Sequence, residues 1–109
     1  MVVRKSFDAA TLTRLRAMPM SVALELLSVH SKADPTYLPL KDKHSRRLYV
    51  TTLRGEFEIV VTGVKWYDTR AQIGGGGSID LAMHLLGLSF VDAVAHLTAN
   101  EGQHGPNHS

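Results

Sequence analysis

The sequence predicts an α+β domain in which two N-terminal helices, a three-stranded antiparallel sheet and two C-terminal helices follow one another. Three observations carry that expectation. Apolar residues recur at helical spacing towards both ends of the chain, they switch to alternation between residues 47 and 69, and two glycine-bearing turns divide that central stretch into strands. With 109 residues there is room for one domain and none for a polymerase core with its own accessory module. Hydrophobic types at 44% and charged types at 20% are an ordinary globular balance, too apolar for a disordered, solvated chain. A domain of this size buries roughly two-thirds of its unfolded surface, enough for one core without staples.

Asp8 is placed to cap a first helix in which Leu12, Leu15 and Met18 keep helical spacing, and Pro19 ends it. Ser21 would cap a second helix carrying the stripe Val22, Ala23, Leu26, Leu27 and Val29. Residues 31–45 read as loop, because Pro35, Pro39 and mixed Lys and Asp interrupt any period. Strands are expected at about 47–52, 56–62 and 65–69, with Arg54-Gly55 and Gly63-Val64 as two-residue turns. Those turns would set Thr52 opposite Phe57, Val50 opposite Ile59 and Leu48 opposite Val61, then Val61 opposite Trp66 and Val60 opposite Tyr67. Leu48, Val61 and Trp66 then share the core face, while Tyr49, Val60 and Tyr67 share the other.

Gly74 to Gly77 read as a loop, with Ser78 capping a helix at about 79–86 that turns Ile79, Ala82, Met83 and Leu86 inward and closes at Gly87. Ser89 and Asp92 form a capping box for a last helix at about 90–98, with Phe90, Ala93, Val94 and Leu97 inward. The domain is expected to span residues 1–99, followed by a disordered tail over 100–109.

Charge is unevenly spread along the chain. Residues 41–70 carry Lys41, Lys43, Arg46, Arg47, Arg54, Lys65 and Arg70 against Asp42, Glu56, Glu58 and Asp68, whereas no Lys or Arg follows Arg70. A basic stretch of this size fits a phosphate-bearing partner, the alternative being a solvated face. The chemistry of catalysis is poorly represented. Without cysteine there is no disulfide, thiolate metal site or cysteine nucleophile, and neither the Gly-Lys-Ser/Thr of a P-loop nor a Gly-x-Ser-x-Gly elbow occurs. Asp80 and His84 stand four apart on one helix, a spacing that suits a metal or an acid–base pair but more often a helix-stabilising pair. His104 and His108 offer at most weak metal binding. No signal-peptide core or membrane span is read, so the expected location is the cytoplasm, with no membrane partner.

The run Gly63-Val64-Lys65-Trp66-Tyr67-Asp68, the Gly-Gly-Gly-Gly-Ser-Ile-Asp-Leu-Ala-Met-His-Leu-Leu-Gly at 74–87 and Ser89-Phe90-x-x-Ala93-Val94 together resemble a known arrangement. It is similar to the N-terminal zinc-ribbon domain of bacterial DNA primases, most of all the form on plasmid- and transposon-borne toprim primase-like proteins. The resemblance spans about residues 19–98, and its specific part is 63–97. It implies a DNA-replication context on a mobile element. The zinc ligands are missing: Leu38 falls at the first cysteine and Lys41 or Asp42 near the histidine, so a metal-free, zinc-ribbon-like domain without cofactor is expected.

Tyr49 and Tyr67, with Arg47 and Lys65 nearby, put stacking rings beside cations on the sheet face away from the core, as single-strand platforms do. The expected site is therefore Lys43, Arg46, Arg47, Tyr49, Lys65, Tyr67 and Arg70, and the expected role is non-catalytic DNA binding, with single-stranded DNA favoured. The alternative is a protein-interaction module that docks on a primase or helicase.

Overall fold

The computed structural model describes residues 9–39 and 44–101; Asp8, Lys41, Asp42, Lys43 and most of the tail expected at 100–109 lie outside them. The class is α+β as expected, but the sheet has five strands rather than three. The elements run α1 (Ala9–Arg16), α2 (Met20–Leu27), β1 (His30–Ala33), β2 (Arg46–Thr52), β3 (Gly55–Thr62), β4 (Lys65–Asp68), β5 (Ile73–Gly76), α3 (Gly77–Leu86) and α4 (Phe90–Glu101). The sheet is an antiparallel meander in the order β1-β2-β3-β4-β5. Among the described residues no single helix is long and apolar enough to cross a membrane.

Both additional strands are edges, and each lacks the signal that reveals a strand in sequence. β1 reads His-Ser-Lys-Ala, with every residue exposed, so its backbone ladder to β2 holds it without an apolar face. β5 reads Ile-Gly-Gly-Gly and has almost no side chains to alternate. Its glycines serve a purpose in packing. A Cβ on Gly75 would stand 2.7 Å from Trp66 Cζ2 and 2.9 Å from Asp80 Oδ2, so the bare backbone lets β5 lie across the indole. Gly75→Ala is expected to lose about 1–3 kcal/mol by overpacking, read as a lowered urea midpoint with unchanged slope; an unchanged midpoint would mean that β5 can lift off the ring.

The second turn and its register are as expected, with Val61 opposite Trp66 and Val60 opposite Tyr67. Gly63 supplies the positive φ of 62° at the turn's first position. The first hairpin differs. Its turn is Leu53-Arg54, so Val50 pairs with Phe57 and Leu48 with Ile59, two residues away from the expected register. The Thr52 hydroxyl accepts the Arg54 N–H at 3.0 Å, and this side-chain closure draws the turn one residue earlier. A two-residue slip preserves the faces, and the core face still carries Val50, Ile59, Val61 and Trp66.

The helices gather on that face, where Leu15, Ala23, Leu24, Ile79, Leu81, Ala82, Leu85, Ala93, Val94 and Leu97 complete one core. Several inward faces are turned relative to expectation: Leu24, Leu81 and Leu85 are buried, whereas Val29 and Phe90 are exposed. Two caps also differ. α2 starts at Met20 behind Pro19 without a side-chain cap, which places Ser21 inside the helix. α3 starts at Gly77, and Ser78 is buried with its hydroxyl donating to Leu15 O at 2.6 Å, tying α3 to the end of α1. Asp80 takes over at that terminus by accepting the Gly76 N–H at 3.2 Å. Gly87 closes α3 in the left-handed conformation and Ser89 Oγ accepts the Asp92 N–H at 3.1 Å, both as the sequence predicts. Asn100 and Glu101 continue α4 and so are not part of a tail.

Candidate binding face and the groove beside it

Alternation along β2, β3 and β4 places Arg47, Tyr49, Thr51, Glu58, Val60, Thr62, Lys65 and Tyr67 on the face opposite the helices. Tyr49 is 40% exposed and Tyr67 45%, so both rings have a free side. β1 adds Lys32 directly opposite Tyr49, a cation that lies in the stretch expected to be loop. Across the sheet the rows run Lys32, Tyr49, Glu58 and then Arg47, Val60, Tyr67, Gly74. Tyr49 and Tyr67 are therefore offset by one row, with β3 between them.

The expected cations are distributed unevenly over this face. Lys65 lies on it, one row beyond Tyr67. Arg46 belongs by alternation to the opposite face, although it is exposed at the start of β2. Arg70 is exposed in the β4–β5 connection, where its backbone N–H donates to Asp68 Oδ1. Lys43 lies outside the described residues. Arg47 is engaged: its Nη2 and Nε donate to Asp34 Oδ2 at 2.7 and 2.9 Å, Nη1 lies 3.8 Å from Glu58, and the guanidinium sits 5.1 Å from the Tyr37 ring.

Asp34 is the hub of that network. It accepts from the Thr36 hydroxyl and backbone N–H, from Arg47, and from the Tyr49 hydroxyl at 3.1 Å. The Thr36 bonds first, then Arg47 and Tyr49, outweigh burial and hold the Asp34 carboxyl well below the usual carboxylate range. The bond to Asp34 in turn raises both the Arg47 guanidinium and the Tyr49 hydroxyl above their ordinary values. Arg47 thus fixes the loop after β1 and the tilt of Tyr49. No local sequence pattern joins Asp34 to a residue thirteen positions away, so this network was not legible before the β1–β2 pairing was known.

A second feature sits on the other side of the sheet. His84 does not pair with Asp80: its Nε2 donates to Asp68 Oδ2 at 2.7 Å, across the gap between α3 and β4. Asp68 is buried, and its other oxygen accepts the backbone N–H groups of Arg70 and Ala71 at 2.9 and 3.0 Å. Burial raises the Asp68 carboxyl, but the Ala71 amide, His84 and the Arg70 amide together outweigh it and leave the group below its ordinary value. The His84 ring stacks on Trp66 at 4.9 Å and meets Phe57 edge-on at 5.7 Å. Beside this couple runs a groove of about 320 Å³ lined by Trp66, Ile73, Gly74, Asp80, Met83, His84 and Leu88. Among the described residues no cluster of three or more His, Asp or Glu side chains could hold a metal ion. Leu38, at the position of the first cysteine in the resembled domains, is exposed and offers no ligand.

The chain matches no protein-family model and no solved structure. It is similar to a "65 kDa protein" of Zymomonas mobilis subsp. mobilis, with 34% identity over 94 residues. The match covers 86% of this chain and 14% of that protein, so the chain spans about one-seventh of the length of the relative.

Proposed function

We propose that the open face of the sheet binds single-stranded DNA, and that the domain is a non-catalytic accessory module of a primase-like replication system, of the kind found on mobile elements. One observation carries the binding reading: a face that no helix covers among the described residues presents two half-exposed tyrosines beside Lys32 and Lys65. The replication context rests on the resemblance of residues 63–97 to primase zinc-ribbon domains. A module role is supported by a similarity that covers most of this chain and a small part of a longer one.

In this reading Tyr49 and Tyr67 stack on bases, and Lys32 and Lys65 contact phosphates. Arg47 positions Tyr49 through Asp34. Two phosphate contacts at about −0.7 each give an expected log–log salt slope of about −1.4 with a labelled oligothymidylate. Tyr67→Ala should cost about 1–3 kcal/mol of binding with the slope unchanged. Lys65→Ala should reduce the slope by about 0.7. Fluorescence anisotropy at several salt concentrations measures all three. Absence of binding at low salt would overturn the DNA reading and favour docking on a protein partner, which the acidic groups Glu56 and Glu58 on the same face would also suit.

A further inference from the structure

The two rings of the open face lean away from one another. Tyr49 is drawn towards the β1 side, where its hydroxyl donates to Asp34 at 3.1 Å. Tyr67 is drawn towards β5: a Cβ on Gly74, its ladder partner, would stand 3.0 Å from Tyr67 Cδ1 and 3.8 Å from Cε1, so the missing side chain is the seat of the ring. Between them runs β3, which by alternation presents Glu56, Glu58, Val60 and Thr62 on this face. The tyrosines stand two strands apart, about 10 Å across the sheet, and wall a trough whose floor is Glu58 and Val60.

Two side chains at that floor each keep an unused hydrogen-bonding group. Glu58 Oε2 accepts the Thr69 hydroxyl at 2.6 Å, and Arg47 Nε and Nη2 are held by Asp34, which leaves Glu58 Oε1 and Arg47 Nη1 without a bond. Nη1 stands 3.8 Å from Glu58 Oε2, too far for a hydrogen bond between the two side chains. Both unused groups reach solvent, since Trp66 Nε1 is the one buried side-chain polar atom among the described residues without a partner. An acceptor and a donor are thus fixed side by side, each by the other bonds of its own side chain. Charge decides which part of a strand enters: Glu56 and Glu58 on β3 repel phosphate from the centre, whereas Lys32 on β1 and Lys65 on β4 attract it to the flanks. Bases, and not the sugar–phosphate chain, then lie over β3.

We infer that the trough selects guanine in the bound strand and that Glu58 sets the preference; the inference rests on the DNA reading above. An ionised carboxylate only accepts hydrogen bonds. The unpaired edge of guanine offers it two adjacent donors, N1–H and the 2-amino group, with O6 next in line as an acceptor for Arg47 Nη1. Adenine and cytosine offer one amino group beside a ring nitrogen that accepts, and thymine one N–H between two carbonyls, so each of them sets an acceptor against the carboxylate.

The test compares, by anisotropy with the full chain, a labelled oligothymidylate with the same oligonucleotide carrying one central deoxyguanosine, a single guanine being unable to form a quadruplex. The guanine should tighten binding about tenfold, or about 1.4 kcal/mol. Deoxyinosine at that position keeps N1–H and O6 but lacks the 2-amino group, and should give up about threefold of the gain. Deoxyadenosine or deoxycytidine there should leave binding within about threefold of oligothymidylate. Glu58→Gln keeps a carbonyl oxygen for Thr69 but sets an amide N–H against the base, and should cut the guanine-to-thymine ratio to about twofold or less; its urea midpoint checks that the fold persists. If both oligonucleotides bind equally, the inference is overturned while the DNA reading stands. It is likewise overturned if deoxyinosine matches deoxyguanosine, if adenine or cytosine is preferred, or if Glu58→Gln retains the preference, which would place it in stacking on the tyrosines. If neither oligonucleotide binds at low salt, the DNA reading itself has failed and the inference falls with it.

Discussion

Trp66→Ala is expected to destabilise the fold by about 3–5 kcal/mol, whereas Tyr67→Ala, one residue along the same strand, should cost no more than about 1 kcal/mol. The difference follows from the pleat, because neighbours on β4 point to opposite faces. Trp66 is buried against the helices, stacked on His84 and roofed by Gly75. Removing it opens a cavity that rigid backbone on one side and α3 on the other cannot collapse into. Tyr67 lies on the open face and loses only half-exposed surface. Trp66→Phe separates packing from polarity, since it keeps most of the ring and removes the unpaired buried N–H. It should recover most of the loss, because a buried donor without a partner carries a desolvation cost of about 1–3 kcal/mol. Urea midpoints of the three variants decide the matter. Equal losses at 66 and 67 would mean that the tyrosine face is covered, and the DNA reading would fall with it.

How far the fold was legible follows from what each strand needs for its stability. β3 and β4 must bury one face, so Ile59, Val61 and Trp66 imprint alternation on the sequence and the Gly63 turn fixes their register. β1 and β5 bury little side chain and are held by backbone bonds, which leave no trace in residue type. The glycine run therefore carries the residue signature of a loop although it forms β5. The slipped first hairpin has a similar origin: Arg54-Gly55 is a good turn by local chemistry, and the closure at Leu53-Arg54 depends on a hydroxyl bond that Thr52 makes within the folded turn. Helix faces drifted because α2 and α3 begin without the Ser caps that would have set their phase. At the candidate sites, exposed tyrosines were legible from alternation, but partners distant in sequence were not. Arg47 is drawn to Asp34, and His84 passes over the helical neighbour Asp80 for Asp68 on β4.

That last pairing leads to the second large effect. Asp68 carries three hydrogen bonds from inside the fold: Arg70 N–H and Ala71 N–H on one oxygen and His84 Nε2 on the other. Asp68→Ala strands three donors at once around a buried position and should cost about 3 kcal/mol. Asp68→Asn keeps a carbonyl oxygen for the two amides and should cost less, with the remaining loss confined to the His84 contact. The pH dependence identifies the charged form as the source. In the unfolded chain an aspartate titrates near 3.9, and in the fold Asp68 lies below its ordinary value because its hydrogen bonds outweigh burial. The folded state therefore binds fewer protons in that range, and the stability contributed by the ionised group is complete above about pH 5 and lost as pH falls through the folded value. Asp34 titrates low as well, so the wild-type profile alone mixes the two groups. The difference between wild type and Asp68→Asn removes the Asp34 contribution, and it should narrow as pH falls below about 4. Urea titrations at stepped pH measure that difference. A gap that widened as pH falls below about 4 would mean that Asp68 is held protonated in the fold, and that it donates to His84 instead of accepting from it.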